Sequence, residues 1–155
     1  MTAAKNKCVI EMIKDRPNKT VGRAHPMDAG LDVYTPSDMK PLKVRKGEIF
    51  TIDTGLHFNL PKGTMMYMCN KTGISKKFGL QVMAKVVDEG FTGDLTICMR
   101  NSGPKTVIIE PDMKLLQGVV VPVLYPTYKE VKKFKLTKAK LKDRGNGKFG
   151  STGIK

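Results

Sequence analysis

The stretch LQVMAKVVDEGFTGDLTICM, residues 80–99, carries the clearest structural signal in the chain. Residues 80–87 are rich in Val, Leu and Met and predict a β-strand, and residues 95–99 predict its partner. Residues 88–94 between them hold two glycines and three carboxylates, a composition typical of a turn. The stretch therefore predicts a β-hairpin with a long loop.

The same rhythm of short apolar segments and turns extends from this hairpin in both directions. Strands are expected at 8–13, 49–60, 64–69, 106–109 and 115–124, with Gly, Pro and charged residues between them. Residues 70–79 break the rhythm and indicate a short helical turn or a loop. Since there is no sustained amphipathic helix and no internal repeat, the sequence predicts an all-β sandwich or barrel.

The composition excludes several classes of protein. The 155 residues suffice for one domain with a real core. No apolar run is long enough for a transmembrane helix, and the first residues lack the apolar centre of a signal peptide. Cys8, Cys69 and Cys98 are widely spaced, so neither a disulfide framework nor a zinc site is indicated. We expect a reducing, cytoplasmic setting and no membrane partner.

The net charge of +14 is large. Such a field attracts polyanions, among them nucleic acid and nucleotides. Lysines cluster between residues 129 and 148, and the ordinary meaning of a lysine cluster is a solvated surface. Charge alone leaves nucleic-acid contact open without making it the main role.

The C-terminal stretch RGNGKFGSTG, residues 144–153, combines four glycines with groups that suit a nucleotide. Arg144 can grip a terminal phosphate, and Ser151, Thr152 and the glycine N–H groups can cradle anionic oxygens. Phe149 offers a face for a base. We interpret the stretch as an arm that is loose when empty and closes on a ligand; the alternative is a disordered basic tail.

Other candidate residues are weak when each is taken alone. Asp32 lies among apolar residues on a strand-like stretch and is, by itself, no more than a turn carboxylate. Thr72 lies where N–H groups and a hydroxyl could face a phosphate. A carboxylate at the hairpin tip could orient water or hold a metal, although a solvated acidic turn explains it equally well. His57 is expected to be a strand residue with a satisfied ring, since no nucleophile lies near it in sequence.

Five motifs taken together resemble those of the trimeric dUTPases, the dUTP diphosphatases. In chain order they are AGLDV (29–33), NKTGISKK (70–77), VVDEGFTGD (86–94), MKLLQGVVVPV (113–123) and RGNGKFGSTG (144–153). They occur in the order and at the spacing of that family and cover the chain almost from end to end. The C-terminal motif is the most distinctive of the five.

The resemblance implies a jelly-roll-like all-β fold with a flexible, Gly-rich C-terminal arm. Residues 1–128 would form the catalytic sandwich, and residues 129–155 a basic arm that closes over the site as part of the same domain. It also implies a homotrimer with active sites between subunits. The reaction would be Mg²⁺-dependent hydrolysis of dUTP to dUMP and pyrophosphate, which keeps uracil out of DNA and supplies dUMP for thymidylate synthesis. The setting would be the cytoplasm, that of the host for a viral source.

The resemblance also implies roles for individual residues. Asp88 would deprotonate the attacking water, Asp32 would organise the metal through water, and Gln117 would lie near the phosphates. The triphosphate itself would supply most of the Mg²⁺ ligands. Phe91 would pack under the deoxyribose, and the backbone around Lys85 and Thr96 would read uracil. The remaining substrate-binding residues would be Lys71, Thr72 and Gly73 in the second motif and Arg144, Phe149, Gly150, Ser151 and Thr152 in the arm.

Several positions differ from the usual pattern of that family. Lys71 and Thr72 replace arginine and serine, so a charge and a hydroxyl remain but the guanidinium fork is lost. Phe91 replaces the commoner tyrosine and keeps the stacking surface. Lys148 replaces a glycine of the arm, and Asn70 stands where proline is usual. None of these changes removes a chemical requirement of the reaction.

Three alternatives compete with this interpretation. A dCTP deaminase of similar fold would need a glutamate where this chain has Cys98. A nucleic-acid-binding module would use the +14 charge, but we expect too few aromatics among the basic residues for a stacking platform. A protein that keeps the fold and acts on a partner is opposed by the presence of Asp32, Asp88, Arg144 and Phe149.

Overall fold

The computed structural model describes residues 8–138 and divides the chain into two compact units, Met1–Leu124 and Tyr125–Lys155. Within the described residues the first unit holds eleven strands and one short helix. In chain order they are β1 Glu11–Lys14, β2 Leu31–Tyr34, β3 Leu42–Val44, β4 Ile49–Asp53, β5 Leu56–Asn59, β6 Thr64–Asn70, α1 Thr72–Phe78, β7 Leu80–Val82, β8 Val86–Val87, β9 Thr96–Asn101, β10 Val107–Ile109 and β11 Lys114–Pro122. The all-β prediction is confirmed.

The strands form four antiparallel sheets. The largest has the order β2-β11-β6-β8, and a second has the order β4-β9-β7. Two smaller sheets pair β1 with β5 and β10 with β3. Most neighbours are distant in sequence, so the chain crosses repeatedly between sheets rather than forming a simple meander.

Side-chain alternation explains which face of each strand is buried. In β4, Phe50 and Ile52 point inward while their neighbours are exposed, and β9 buries Ile97 and Met99 in the same way. Every sheet contributes to one hydrophobic core. Its fully enclosed side chains include Leu56, Leu80, Met99, Ile109 and Leu115, and burial of each such side chain contributes about 1.5–3 kcal/mol.

Two predicted strands are each divided in the structure. The segment 49–60 becomes β4 and β5, because Gly55 adopts φ 67° and the chain turns there. The segment 80–87 becomes β7 and β8, with exposed residues 83–85 between them. The ambiguous segment 70–79 contains α1, which ends at Gly79 in the left-handed region (φ 72°).

The described part of the second unit, residues 125–138, lies outside any β-strand, and its side chains are exposed. The predicted boundary between residues 128 and 129 stays a prediction. Among residues 8–138 no helix has the length and apolar character needed to cross a membrane.

Candidate active site

The hairpin predicted from residues 80–99 opens along its length. Near the helix, β7 pairs with β9, and the Met83 N–H donates to the Cys98 carbonyl at 2.9 Å. Two residues later the chain has changed partner: the Lys85 carbonyl accepts the Met68 N–H at 2.7 Å, and β8 pairs with β6. Among residues 8–138, the start of β9, at Thr96, therefore pairs with a strand only on its β4 side.

A cavity of about 220 Å³ lies between the separated strands. Its walls combine apolar side chains with two carboxylates from the hairpin turn. The lining residues are Met68, Ala84, Val86, Val87, Asp88, Phe91, Asp94, Leu95 and Thr96. Of the predicted residues, Asp88, Phe91 and Thr96 line this cavity. Lys85 does not line it, but its sequence neighbours Ala84 and Val86 do.

The three carboxylates of the turn have different surroundings. Asp94 Oδ1 accepts N–H groups from Thr54 at 3.1 Å and Gly55 at 2.8 Å. Glu89 accepts the Gly63 N–H at 2.6 Å. The Asp88 side chain is exposed and makes no hydrogen bond or ion pair within residues 8–138. Asp88 is therefore the carboxylate of the turn that could present both of its oxygens to a water molecule in the cavity.

Phe91 is held at the cavity by the shape of the turn. Its N–H donates to the Asp88 carbonyl at 3.1 Å, and the ring remains 46% exposed. A Cβ at Gly93 would lie 2.8 Å from the Phe91 ring, so any larger residue at position 93 would displace the ring. The exposed ring face is available to an apolar part of a ligand.

A second group of predicted residues surrounds Asp32 on β2. The Asp32 carboxylate is buried, and it forms ion pairs with Lys71 and, at 3.0 Å, with Lys114. Burial raises the pKa of Asp32, but the hydrogen bonds from the two ammonium groups outweigh it, and the pKa lies below its ordinary value. Asp32 is thus an anion that holds two cations together at one edge of the large sheet.

Gln117 lies opposite Asp32 in the register of β11 with β2. Its side-chain N–H donates to the Asn70 carbonyl at 3.1 Å, and the Asn70 side chain in turn accepts the Val82 N–H at 2.7 Å. A Cβ at Gly30 would overlap the Gln117 side chain. The glycine of the AGLDV motif therefore makes room for the glutamine of the fourth motif.

Lys71, Thr72 and Gly73 lie at the start of α1. Lys71 is the N-cap residue and directs its ammonium group to Asp32. Thr72 and Gly73 are exposed, and a Cβ at Gly73 would meet nothing within 4 Å. The three residues join the Asp32 group through Lys71 and present a hydroxyl and backbone N–H groups to solvent.

The two groups are separate within one chain. Asp32, Gln117 and Cys69 are aligned across β2, β11 and β6, whereas Val87 of β8 lies opposite Met66, three residues further along β6. With about 4.8 Å between strands and about 3.4 Å rise per residue, the backbones of Asp32 and Val87 are roughly 15–20 Å apart.

Sequence reasoning did not single out Lys114 or assign a role to Asn70. Lys114 lies within the fourth motif, three residues before Gln117, and only the pairing of β11 with β2 brings it to Asp32. Arg144, Phe149, Gly150, Ser151 and Thr152 lie outside the described residues.

Comparison with known proteins yields one family. The family model for dUTPase matches residues 17–153. A deoxyuridine 5'-triphosphate nucleotidohydrolase from Clostridium acetobutylicum is 34% identical over 134 residues, which cover 85% of this chain and 87% of that protein. A protein of the same name from Rhodococcus erythropolis is 34% identical over 84% of this chain and 77% of its own length.

Solved structures show the same fold. A mutant dUTPase of Staphylococcus bacteriophage 80alpha with bound dUpNHpp matches with a TM-score of 0.83 at 21% identity, over 94% of this chain and 99% of that one. A mutant dUTPase from phage phi11 of S. aureus, described with a structural Mg(II) ion, matches with a TM-score of 0.74 at 21% identity, over 83% and 99%. The predicted jelly-roll-like β architecture is confirmed.

Proposed function

This chain belongs to the dUTPase family, and we propose that it hydrolyses dUTP to dUMP and pyrophosphate with water activated by Asp88. The observation that carries this proposal is the opened hairpin, which brings to one cavity the Phe91 ring and the Asp88 carboxylate, unpartnered within residues 8–138. An ionised carboxylate accepts a proton from water when the two are within hydrogen-bond distance. Asp94 and Glu89 suit this role less well, since each is held in place by backbone N–H groups.

Uracil would be recognised between the separated strands. The backbone of residues 84–86 and the start of β9 at Thr96 border the cavity, and rigid N–H and C=O groups suit the fixed donors and acceptors of a base. Phe91 would pack against the deoxyribose and leave no room for a 2′-hydroxyl. The Lys85 carbonyl already accepts the Met68 N–H. Lys85 would therefore contribute by fixing the position of the backbone that borders the base.

The triphosphate would meet the group around Asp32. Lys71 and Lys114 provide two positive charges, Gln117 provides an amide, and Thr72 with Gly73 provides a hydroxyl and N–H groups. Asp32 would orient the lysines, and its negative charge would keep them from repelling each other. The family match reaches residue 153, so Arg144, Phe149, Gly150, Ser151 and Thr152 would complete the site from the arm.

Magnesium would be held mainly by the triphosphate. Within the described residues no group of three or more His, Cys, Asp or Glu side chains could bind a metal directly, and both Asp32 oxygens already pair with lysines. This donor set suits Mg²⁺, which keeps several waters and binds phosphate oxygens through few protein ligands. Asp32 would act on the metal's water shell, and the ion would neutralise phosphate charge when bound.

The site would be shared between subunits of a homotrimer. The Asp32 group and the Asp88 group are roughly 15–20 Å apart in one chain by strand geometry, too far for one carboxylate and one phosphate cradle to meet on the same α-phosphate. Contributions from two chains remove this difficulty, and closed symmetric assembly is the common arrangement for such contacts.

The chemistry is tested by pyrophosphate release from dUTP, dCTP, dTTP and UTP with and without Mg²⁺. We expect turnover of dUTP alone, abolished in Asp88→Asn. The matched control is Asp38→Asn, which removes an exposed carboxylate paired with Arg16 and should turn over dUTP at the wild-type rate. Full activity of Asp88→Asn would refute the role of Asp88, and absence of dUTP turnover in the wild type would refute the enzyme.

The shared site is tested by mixing two inactive variants. Asp88→Asn and Gln117→Ala subunits, co-expressed with different tags and purified as mixed assemblies, should recover activity. In a trimer that contains both variants, in either ratio, one of the three sites combines Asp88 of one chain with Gln117 of the next, so about a third of the sites would be intact. Mixed assemblies without activity would show that both groups act from one chain.

A second candidate function is binding of single-stranded nucleic acid by residues 125–138. Two aromatic side chains of this segment are open to solvent: Tyr128 is 93% exposed and Phe134 is 75% exposed. Five lysines and one glutamate occur between residues 128 and 138. Fluorescence anisotropy with a labelled oligothymidine should show binding that falls steeply with salt and weakens in Tyr128→Ala/Phe134→Ala. No binding at low salt would exclude this function.

A further inference from the structure

Among residues 8–138, three residues of the hairpin turn that carries Asp88 and Phe91 attach it to the rest of the domain by hydrogen bonds. Glu89 accepts the Gly63 N–H, and Asp94 accepts the Gly55 N–H. The third attachment is the Thr92 carbonyl, which lies 2.9 Å from Nδ1 of His57 on β5. Two attachments thus use carboxylates of the turn, and the third uses a histidine outside it.

His57 lies between two hydrogen-bond acceptors. Nδ1 faces the Thr92 carbonyl, and Nε2 lies 2.8 Å from Oδ2 of Asp15. Neither a carbonyl nor a carboxylate can donate, so the ring satisfies both only when both nitrogens carry protons. The hydrogen bonds to Thr92 and Asp15 raise the pKa of His57.

The other charged groups near His57 favour the same protonation state. Asp94 adds an attractive charge from the turn. Glu11 of β1, which accepts a hydrogen bond from the Asn59 side chain, lines a surface groove together with His57 and Thr92. Arg16, next to Asp15 in sequence, is directed elsewhere: its side chain donates to Asp38 and to the Asp53 carbonyl. Lys14 likewise donates to the Asn18 carbonyl and to Thr20.

We propose that protonated His57 is a positioning residue for dUTP binding, holding the Thr92 carbonyl and with it the turn that presents Phe91 and Asp88. This inference rests on the proposed function. When His57 loses a proton it can donate only one hydrogen bond, and because the Asp15 carboxylate is a stronger acceptor than a carbonyl, the Thr92 contact is the one that is lost. The turn is then free to move at Thr92, next to Phe91, and the Phe91 ring is no longer held in a fixed position at the substrate pocket.

The direction of the pH effect follows from the protonation state. The contact is complete below the ordinary pKa of histidine, near 6.5, and is lost as pH rises through the higher pKa of His57 in the folded protein. We expect kcat/KM for dUTP to fall about three- to tenfold across this transition, the effect of one hydrogen bond of ordinary net strength. Most of the change should be in KM, since Thr92 adjoins the residue under the sugar.

The experiment measures kcat and KM for dUTP between pH 6 and 9 in wild type, His57→Gln, Asp15→Asn and His25→Gln. The ratio of each variant to the wild type cancels the ionisation of dUTP itself. His57→Gln should remove the alkaline transition. Asp15→Asn should move it to lower pH, because the ring then lacks the carboxylate that favours its second proton. His25→Gln, which changes the chain's other histidine, should leave it in place.

NMR provides an independent test of whether the alkaline kinetic transition belongs to His57. The chain has only two histidines, so NMR titration of their ring signals, assigned with His25→Gln, gives the pKa of His57 directly. The midpoint should coincide with the kinetic midpoint in both wild type and Asp15→Asn. An alkaline transition that persists in His57→Gln, or that differs from the NMR midpoint, would overturn the inference. Loss of dUTP turnover at every pH in the wild type would instead overturn the proposed function.

Discussion

Asp94 is predicted to stabilise the hairpin turn rather than to act in chemistry, and replacing it tests the distinction. One oxygen of this carboxylate receives the Gly55 N–H at 2.8 Å, the Thr54 N–H at 3.1 Å and the Thr54 hydroxyl at 3.3 Å. These contacts join the end of the turn to the sharp corner between β4 and β5. They lie beside the cavity that Asp94 itself helps to line.

The three contacts are not equally costly to lose. The Thr54 N–H and hydroxyl both have a second acceptor in the Leu95 carbonyl, at 3.2 and 2.7 Å, whereas the Gly55 N–H has no other hydrogen bond in the described residues. Asp94→Ala therefore leaves one donor without a partner and weakens two others. A charge-assisted hydrogen bond contributes about 1.5–3 kcal/mol, so we expect a loss of about 2–3 kcal/mol in the free energy of unfolding.

The assay is urea unfolding at pH 7, followed by circular dichroism, beside dUTP kinetics. Asp94→Asn keeps an acceptor oxygen without the charge and should lose about 1 kcal/mol, the difference between a charged and a neutral hydrogen bond. Asp38→Asn breaks an exposed ion pair and should lose less than about 1 kcal/mol. Asp94→Asn should keep most of its activity, whereas Asp88→Asn should keep none. An Asp94→Ala variant as stable as Asp38→Asn would refute this reasoning.

Three further outcomes are expected. Gly30→Ala places a methyl group against the Gln117 side chain; dUTP turnover should fall at least tenfold while circular dichroism stays near wild type, and unchanged kinetics would mean that Gln117 is not needed. The pKa of Asp32 is lowered in the folded protein, so its ion pairs add stability at pH values above the ordinary pKa of aspartate, and this stability is lost as pH falls through the lower pKa of the folded state. The unfolding free energies of wild type and Asp32→Asn should therefore converge below about pH 4; a constant difference between them would exclude this linkage. Asn101→Ala removes the side-chain partner of three backbone groups, at Val44, Gly103 and Lys105, of which the first two are buried; it should cost about 3–4 kcal/mol in urea unfolding, and a loss under about 1 kcal/mol would show that water replaces this partner.

Local sequence predicted most strands because burial on one face imposes alternation on each of them. It failed where the backbone changes partner without a change in composition. No glycine or proline marks residues 83–85, yet there the chain leaves β9 and joins β6. Partner choice depends on the packing of whole sheets, which no window of a few residues contains. The opened hairpin, and the cavity that follows from it, were therefore hidden in a segment that reads as one continuous strand.

In the candidate site, too, some features follow from the sequence and others only from the tertiary structure. The motifs of the sequence by themselves determined the family, the all-β class and the candidate residues Asp32, Asp88 and Gln117, because those features reside in residue types and spacing. Only the tertiary structure decided that Lys114 reaches Asp32, that Asp88 alone of the turn carboxylates is unpartnered among the described residues, and that His57 contacts Thr92. Each of these depends on strands that pair across long sequence separations, and side-chain partners are set by that pairing rather than by order along the chain.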